Sequence, residues 1–277
     1  MIDIGYLGPK GTFSHEAVGK YAEDMPHTAH DFLSIPEIIA AVRDGRLDEA
    51  IVPIENSIEG AINATMDELA QDTALSIKAE LVIPIRQHLL VKRGTDIMKI
   101  SCVLSHPQPL GQCRRFLSEQ MGRAHIKAVH STAAAAEEVA GGAGDLAAIG
   151  SEMAAGVYGL EIAVTDIQDY DSNYTRFIVV SKTTTARTGH DKTSIVFSTE
   201  DKPGSLYRIL DIFNLWDINM TRIESRPTRN KLGRYIFFVD IIGHRDDEDI
   251  KDALTMIQRK TTFFRILGSY PVSPDRL

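Results

Sequence analysis

Ile2-Asp3-Ile4-Gly5-Tyr6-Leu7-Gly8-Pro9-Lys10-Gly11-Thr12-Phe13-Ser14 is the stretch whose reading decides the fold. The first six residues read as a strand, and Gly8-Pro9-Lys10-Gly11 closes it with a turn. Thr12 or Ser14 then stands where a helix reaching about Glu23 needs a cap. The same unit recurs downstream. Ile35, Ile38, Ile39 and Val42 follow i, i+3, i+4, i+7, with Ser34 and Glu37 in capping-box spacing and Gly45 just past the end. Strands are expected over 47–52, 75–85, 102–104 and 146–150, and helices near 111–121 and 131–140. Strands alternating with helices predict an α/β body, mostly parallel sheet with helices on both faces, up to about residue 180.

Residues 181–192 carry no apolar period and read as a linker. Beyond them the order is strand 193–199, helix 203–216, strands 218–226 and 234–243, helix 247–260 and strand 263–270. Leu206, Ile209, Leu210 and Phe213 form the apolar face of the first of those helices. A βαββαβ order in about 80 residues is that of a ferredoxin-like unit, and it reads as separable from the rest.

The chain has 277 residues, 43% hydrophobic and 25% charged, which excludes a disordered or fibrous class and predicts two domains. A net charge of −8 argues against nucleic-acid or anionic-membrane partners, so an anionic ligand needs a local site. The two cysteines, Cys102 and Cys113, make no CxxC pair, as suits a reducing cytoplasm. The first residues lack a leader pattern, and no apolar run reaches the ~20 residues of a membrane helix.

Four segments place polar groups where α/β folds bind ligands, at strand ends before helices. Gly8–Ser14 offers amides and the hydroxyls of Thr12 and Ser14 to an anion, or is a plain turn. Pro53-Ile54-Glu55-Asn56-Ser57-Ile58-Glu59-Gly60 offers Asn56 and Ser57 for binding, for capping, or for both. Ser105-His106-Pro107-Gln108-Pro109-Leu110-Gly111-Gln112-Cys113 offers Ser105, Gln108 and Gln112 as neutral hydrogen bonders, with Cys113 read as a packed side chain. Asp171-Ser172-Asn173-Tyr174-Thr175-Arg176-Phe177 sets a hydroxyl beside a guanidinium, a pair able to hold a carboxylate and donate a proton, or else starts an edge strand with a surface arginine. His27, His30 and Asp31 read as a solvated turn, and no metal site is expected.

Taken in order and spacing, Gly-Pro-x-Gly-Thr-Phe-Ser, Pro-Ile-Glu-Asn-Ser, Ser-His-Pro-Gln-x-x-x-Gln-Cys and Asn-Tyr-Thr-Arg-Phe closely resemble the prephenate dehydratases. The tail, with Gly204-Ser205-Leu206 in place of the family's Gly-Ala-Leu and with Glu224-Ser225-Arg226-Pro227, resembles their regulatory ACT domain. The resemblance implies a two-lobed catalytic domain like periplasmic binding proteins over 1–182. Lobe one covers about 1–75 and 165–182, lobe two about 76–164, and an ACT domain 193–270. Bifunctional relatives carry a chorismate mutase segment before the first strand, and here that strand begins at Ile2.

It further implies cofactor-free conversion of prephenate to phenylpyruvate, with L-phenylalanine as allosteric effector and a homodimer or homotetramer. Thr175 is expected as proton or hydrogen-bond donor at the leaving hydroxyl and Arg176 on the pyruvyl carboxylate. Glu55 assists proton transfer or holds the donors. Thr12, Ser14, Asn56, Ser57, Ser105, Gln108, Gln112 and Phe177 are expected around the substrate. Gly204, Ser205, Leu206, Asn219, Glu224, Ser225, Arg226 and Pro227 are expected around the effector. Arogenate dehydration and a non-catalytic solute sensor are the alternatives.

Overall fold

A computed structural model describes residues 1–71, 74–228 and 235–274. The first lobe opens with β1 (Ile2–Leu7), α1 (Phe13–Tyr21), β2 (His27–Phe32), α2 (Ile35–Arg43), β3 (Glu49–Asn56), the short β4 (Gly60–Ala61), α3 (Asn63–Gln71) and β5 (Ser76–Pro84). The second lobe follows with β6 (His88–Val91), β7 (Cys102–Ser105), α4 (Pro107–Gln112), α5 (Arg114–Gln120), β8 (His125–Ala128), α6 (Thr132–Gly141), β9 (Leu146–Gly150), α7 (Glu152–Tyr158) and β10 (Glu161–Val164). The chain then returns through β11 (Tyr174–Ser181). The C-terminal unit is β12 (Asp191–Ser198), α8 (Ser205–Leu215), β13 (Met220–Pro227), β14 (Tyr235–Ile242), α9 (Glu248–Lys260) and β15 (Phe263–Pro271), the expected βαββαβ order.

The first sheet runs β2-β1-β3-β11-β5, with β4 on β3, and the second β10-β6-β9-β7-β8. Neither is mostly parallel. β1 lies parallel to β2 and β3, but β11 re-enters from the other lobe antiparallel to both β3 and β5. In the second sheet β6 runs against β9 and β10. Because β5 pairs with β11 along its whole length, Ser76–Pro84 belongs to the first sheet, where the sequence placed the start of lobe two. The chain therefore crosses between lobes at 85–87 and 165–173. Those two crossings bond to each other, Ile85 N to Asn173 O at 2.8 Å and Ile167 N to Gln87 O at 2.8 Å.

Local signals account for most helix limits. Thr12 caps α1, its Oγ1 accepting from His15 N at 3.4 Å. Ser34 precedes α2 in extended backbone without a side-chain cap bond, so the capping box is not formed; Pro36 in the first turn and buried Ile35, Ile38, Ile39 and Val42 define that helix instead. The helix expected over 111–121 is two, broken at Cys113, whose φ is −118°. His27 and His30 lie on an edge strand rather than a turn, paired along β1, with His30 Nε2 2.8 Å from Asp3 Oδ1.

The C-terminal unit is not separable. One face of its sheet packs on α8 and α9, through Ile209, Phe213, Ile250, Leu254 and Ile257. The other lies on lobe one, where Val196, Phe238, Leu267 and Tyr270 share a core with Ile77, Ile178 and Val180. Covering both faces explains why the central strand β12 is buried at seven of its eight positions rather than alternating. Glycine is required at the crossing of the two units: a Cβ on Gly268 of β15 would stand 2.2 Å from the Ile77 carbonyl oxygen.

Candidate active site

A cleft of about 530 Å³ opens between the two lobes of the N-terminal body. Lobe one lines it with Asn56, Glu59, Thr175 and Phe177, lobe two with His106, Gln108, Gln112, His130, Ser131 and Thr132, and the crossings with Gln87 and Asn173. The polar groups cluster at the ends of β3, β7 and β8, where the ligand crevice of an open α/β sheet lies.

Asn56 organises the floor. Its Nδ2 donates to Thr175 Oγ1 and Asn173 Oδ1, both at 2.9 Å, and lies 3.1 Å from Tyr174 O. Its Oδ1 accepts from the backbone of Ile58 at 3.0 Å and Glu59 at 2.9 Å, which fixes the turn after β3. Thr175 is only 8% exposed, and its Oγ1 accepts from Asn56. Among the described residues no acceptor takes its hydroxyl proton, which is left to the cleft. Asn173 passes the chain on to Gln112, Nδ2 to Oε1 at 3.1 Å. The Gln112 Nε2 at its end is buried without a partner among the described residues, as is Gln87 Oε1 on a residue only 1% exposed. Two of the seven such atoms among the described residues thus lie on this cleft, where a polar ligand could satisfy them.

Several residues expected at the site point elsewhere, and strand alternation is the main reason. Thr175 and Phe177 face the cleft; Arg176 between them faces the opposite side of the sheet. There its Nε bonds Glu80 Oε2 at 2.7 Å, its Nη1 Asp240 Oδ2 at 2.6 Å and its Nη2 the Tyr270 hydroxyl at 2.9 Å. Glu55, next to Asn56, likewise turns away, 3.4 Å from Arg222 Nε and 3.7 Å from Arg176 Nη1. Neither lines the cleft. Ser57 clamps strand ends, bonding Ser172 O at 2.9 Å and Tyr174 N at 3.0 Å. Ser105 is fully buried on Ile149 O at 2.8 Å. Thr12 bonds Leu7 O at 3.1 Å besides capping α1, and Ser14 is buried within that helix. The Gly8–Gly11 turn instead joins the lobes: Gly11 O accepts from Ser151 Oγ at 3.0 Å, and Lys10 O from Tyr158 OH at 3.1 Å. Gly11 N is taken by His15 Nδ1, so it is no open anion nest. Cys113 is a packed side chain, its thiol pushed up to about 12 by burial.

The sequence missed Gln87, Glu59, His106, His130, Ser131 and Thr132 as lining groups. Ser131 was findable, since it follows a strand and caps α6, accepting from Ala134 N at 3.0 Å. Gln87 was not, because nothing local marks a lobe crossing.

The expected effector residues separate. Gly204, at φ +76°, begins α8, and Ser205 and Leu206 line a recess of about 140 Å³ with Glu200, Lys202, Tyr235 and Phe237. On β13 the inward face carries Arg222, Glu224 and Arg226, and Arg226 grips Asp67 of α3 at 2.9 Å instead of facing that recess. Asn219 O closes the end of the hairpin on Ile242 N at 2.9 Å. Ser225 and Pro227 stay exposed on the sheet edge. Among the described residues no group of His, Cys, Asp and Glu has a metal-binding arrangement, and no helix is long and apolar enough to cross a membrane.

Comparison with known proteins agrees with this layout. The family model described as Prephenate dehydratase matches residues 4–185, and that described as ACT domain matches residues 193–255. The bifunctional chorismate mutase/prephenate dehydratase of Aquifex aeolicus is 40% identical over 275 residues, 98% of this chain and 74% of that one. The prephenate dehydratase of Mycobacterium bovis is 39% identical over 284 residues, 99% of this chain and 88% of its own. The crystal structure of the Arthrobacter aurescens prephenate dehydratase in complex with L-Phe superposes with a TM-score of 0.89 at 36% identity, covering 99% and 91% of the two chains. With matches spanning both units, the chain belongs to the prephenate dehydratase family and carries that family's two-lobed α/β body followed by an ACT domain.

Proposed function

We propose that this chain converts prephenate to phenylpyruvate in its interlobe cleft. The observation that carries the reading is the Asn56–Thr175 bond, which leaves the threonine proton as a donor aimed into a cavity of suitable size. The reaction breaks the bond between the ring and its hydroxyl and the bond between the ring and its carboxylate. Water and CO2 leave, one proton is taken up, and the ring becomes aromatic. Aromatisation supplies the driving force, so the protein's part is positioning and a donor at the departing oxygen. Thr175 is too weak an acid to protonate a hydroxyl outright, so it gives its proton in concert with C–O cleavage and recovers one from water. The pyruvyl carboxylate is held by neutral donors, Gln112 Nε2 foremost, since Arg176 is on the wrong face of the sheet.

L-Phenylalanine is the effector in this reading, bound by the ACT domain, with the α8 N-terminus at Gly204 as one wall. Strand β13 is an open edge, and Ile223 on it and Tyr235, paired to its end, are exposed. Such an edge supports pairing with a second copy, hence a homodimer or homotetramer with the effector between ACT domains. The two free thiols are consistent with a reducing cytoplasm in this reading.

Incubating the purified protein with prephenate and with arogenate, following phenylpyruvate absorbance and phenylalanine, tests the assignment. Phenylpyruvate from prephenate supports it; phenylalanine from arogenate alone assigns arogenate dehydration; no product from either leaves a solute sensor. Gly204→Val, β-branched at a positive φ, is expected to abolish inhibition by phenylalanine while kcat stays near normal.

A further inference from the structure

Thr175 and Asn56 show the cleft one face of their sheet, and the residues beside them show the ACT domain the other. The Arg176 guanidinium is closed on three sides, by Glu80 of β5 in lobe one and by Asp240 of β14 and Tyr270 of β15 in the ACT sheet. Those partners are themselves fixed. Ser194 Oγ lies 2.5 Å from Asp240 Oδ1 and 2.6 Å from the Tyr270 hydroxyl, and Lys192 Nζ bonds both Glu80 oxygens at 2.7 Å. Glu55, preceding Asn56, is met by Arg222 of β13. Thr175 and Asn56 thus each have an immediate chain neighbour anchored in the other domain.

Arg176 and Lys192 balance Glu80 and Asp240, a buried cluster of zero net charge. Burial disfavours the charged guanidinium, but Asp240, Tyr270 and Glu80 hold its pKa well above the ordinary value. Buried ion pairs add little stability relative to apolar packing, and their best-attested use is to fix a geometry. A planar fork with three fixed acceptors has no freedom to turn. Arg176 and Thr175 are consecutive in β11, paired on both sides by β3 and β5, so a shift of Arg176 along or across the sheet carries Thr175 with it. The register between β11 and β3 slips just after Arg176, Phe177 pairing with Pro53, and such bulges re-aim the side chains beside them.

We propose that Asp240 and Tyr270 are positioning residues for the dehydration: through Arg176 they hold the Thr175 hydroxyl on the departing oxygen. The ACT sheet then belongs to the device that sets the donor, and any rearrangement of that sheet is felt at Thr175. This rests on Thr175 being the donor.

Tyr270→Phe in the full chain removes one hydroxyl and keeps the ring in its core. The expected result is a ~10- to 100-fold fall in kcat for prephenate, the scale of a small misplacement at the reacting group. KM is expected to stay within about two-fold, because ground-state binding is untouched. In a Thr175→Val background the same change is expected to cost nothing further, since both act through one atom. Ser194→Ala, which withdraws the hydroxyl bridging Asp240 and Tyr270, is the second variant should the first not fold. A purely structural role predicts a lower melting temperature with kcat unchanged in both variants, or losses that multiply with Thr175→Val; either outcome overturns the proposal. Undiminished kcat in Thr175→Val alone refutes the donor reading itself, and so is distinguishable from failure of the coupling.

Discussion

Asn56 donates to Thr175 at 2.9 Å, so the threonine oxygen is already a hydrogen-bond acceptor and its proton is the part left to use. Thr175→Val keeps the branched shape and removes that proton. The kcat for prephenate is expected to fall at least ~10²-fold, the usual size for one positioned donor. Folding should survive, because the Asn56 amide keeps Asn173 Oδ1 and Tyr174 O as acceptors. Steady-state kinetics with a parallel thermal melt decides; near-normal kcat removes Thr175 from the chemistry.

Gln112 ends its hydrogen-bond chain with a buried Nε2 that has no partner among the described residues. In Gln112→Met the donor disappears at nearly constant volume. If that amide binds a substrate carboxylate, KM should rise roughly tenfold, within the ~1–3 kcal/mol of a buried hydrogen bond lost to a charged group. An unchanged KM together with a higher melting temperature would mark the amide as a structural defect instead.

Where β15 crosses β5, backbone meets backbone. A methyl at residue 268 would fall 2.2 Å from the Ile77 carbonyl oxygen and 2.9 Å from its nitrogen. Gly268→Ala should therefore cost roughly 1–3 kcal/mol or more in chemical denaturation, as overpacking against atoms that cannot rotate away. A chain ending after Ser181 should fare worse: it bares Ile77, Ile178 and Val180 and leaves Arg176 without Asp240 and Tyr270. Soluble, fully active protein from that truncation would contradict the shared core.

Glu16 of α1 has its pKa raised to about 7, chiefly by burial and then by Glu152 of α7 in the opposite lobe, with Lys20 opposing. A carboxyl whose folded pKa exceeds its unfolded value favours the native state while protonated. That contribution is complete below about 4.5 and is lost as pH rises through about 7. Glu16→Gln cannot ionise, so its melting temperature should gain on the wild type between pH 5 and pH 8. Parallel melting curves across that range would remove Glu16 from the pH response.

The C-terminal elements were readable to within one or two residues because continuous apolar runs such as Ile195-Val196-Phe197 mark the strands and an apolar stripe at Ile209 and Phe213 marks the helix between them. The motif segments were readable too, since strand ends before helices are where α/β folds gather ligands. What escaped was the direction of side chains within those motifs. Thr175 and Arg176 are neighbours, and only the register of β11 between β3 and β5 says which of them faces the cleft. Sequence likewise gave no sign that the second face of the ACT sheet is covered, because an arginine destined for a buried network looks the same as a surface one. Ser105 and Ser57 were ambiguous for a simpler reason: a hydroxyl serves a backbone carbonyl as readily as a ligand.

Among the described residues lining the cleft there is no lysine or arginine. For a substrate that must shed CO2, the lack of a lysine or arginine there has a kinetic meaning. A fixed cation beside the ring carboxylate would favour the charge that has to vanish, deepening the well from which the reaction starts. In the proposed reading amides and hydroxyls hold the other end of the molecule by direction instead of by field, so the departing group meets no lysine or arginine to keep it. With a net charge of −8 and Glu59 on the cleft wall, capture of the dianion should speed up as added salt screens that repulsion.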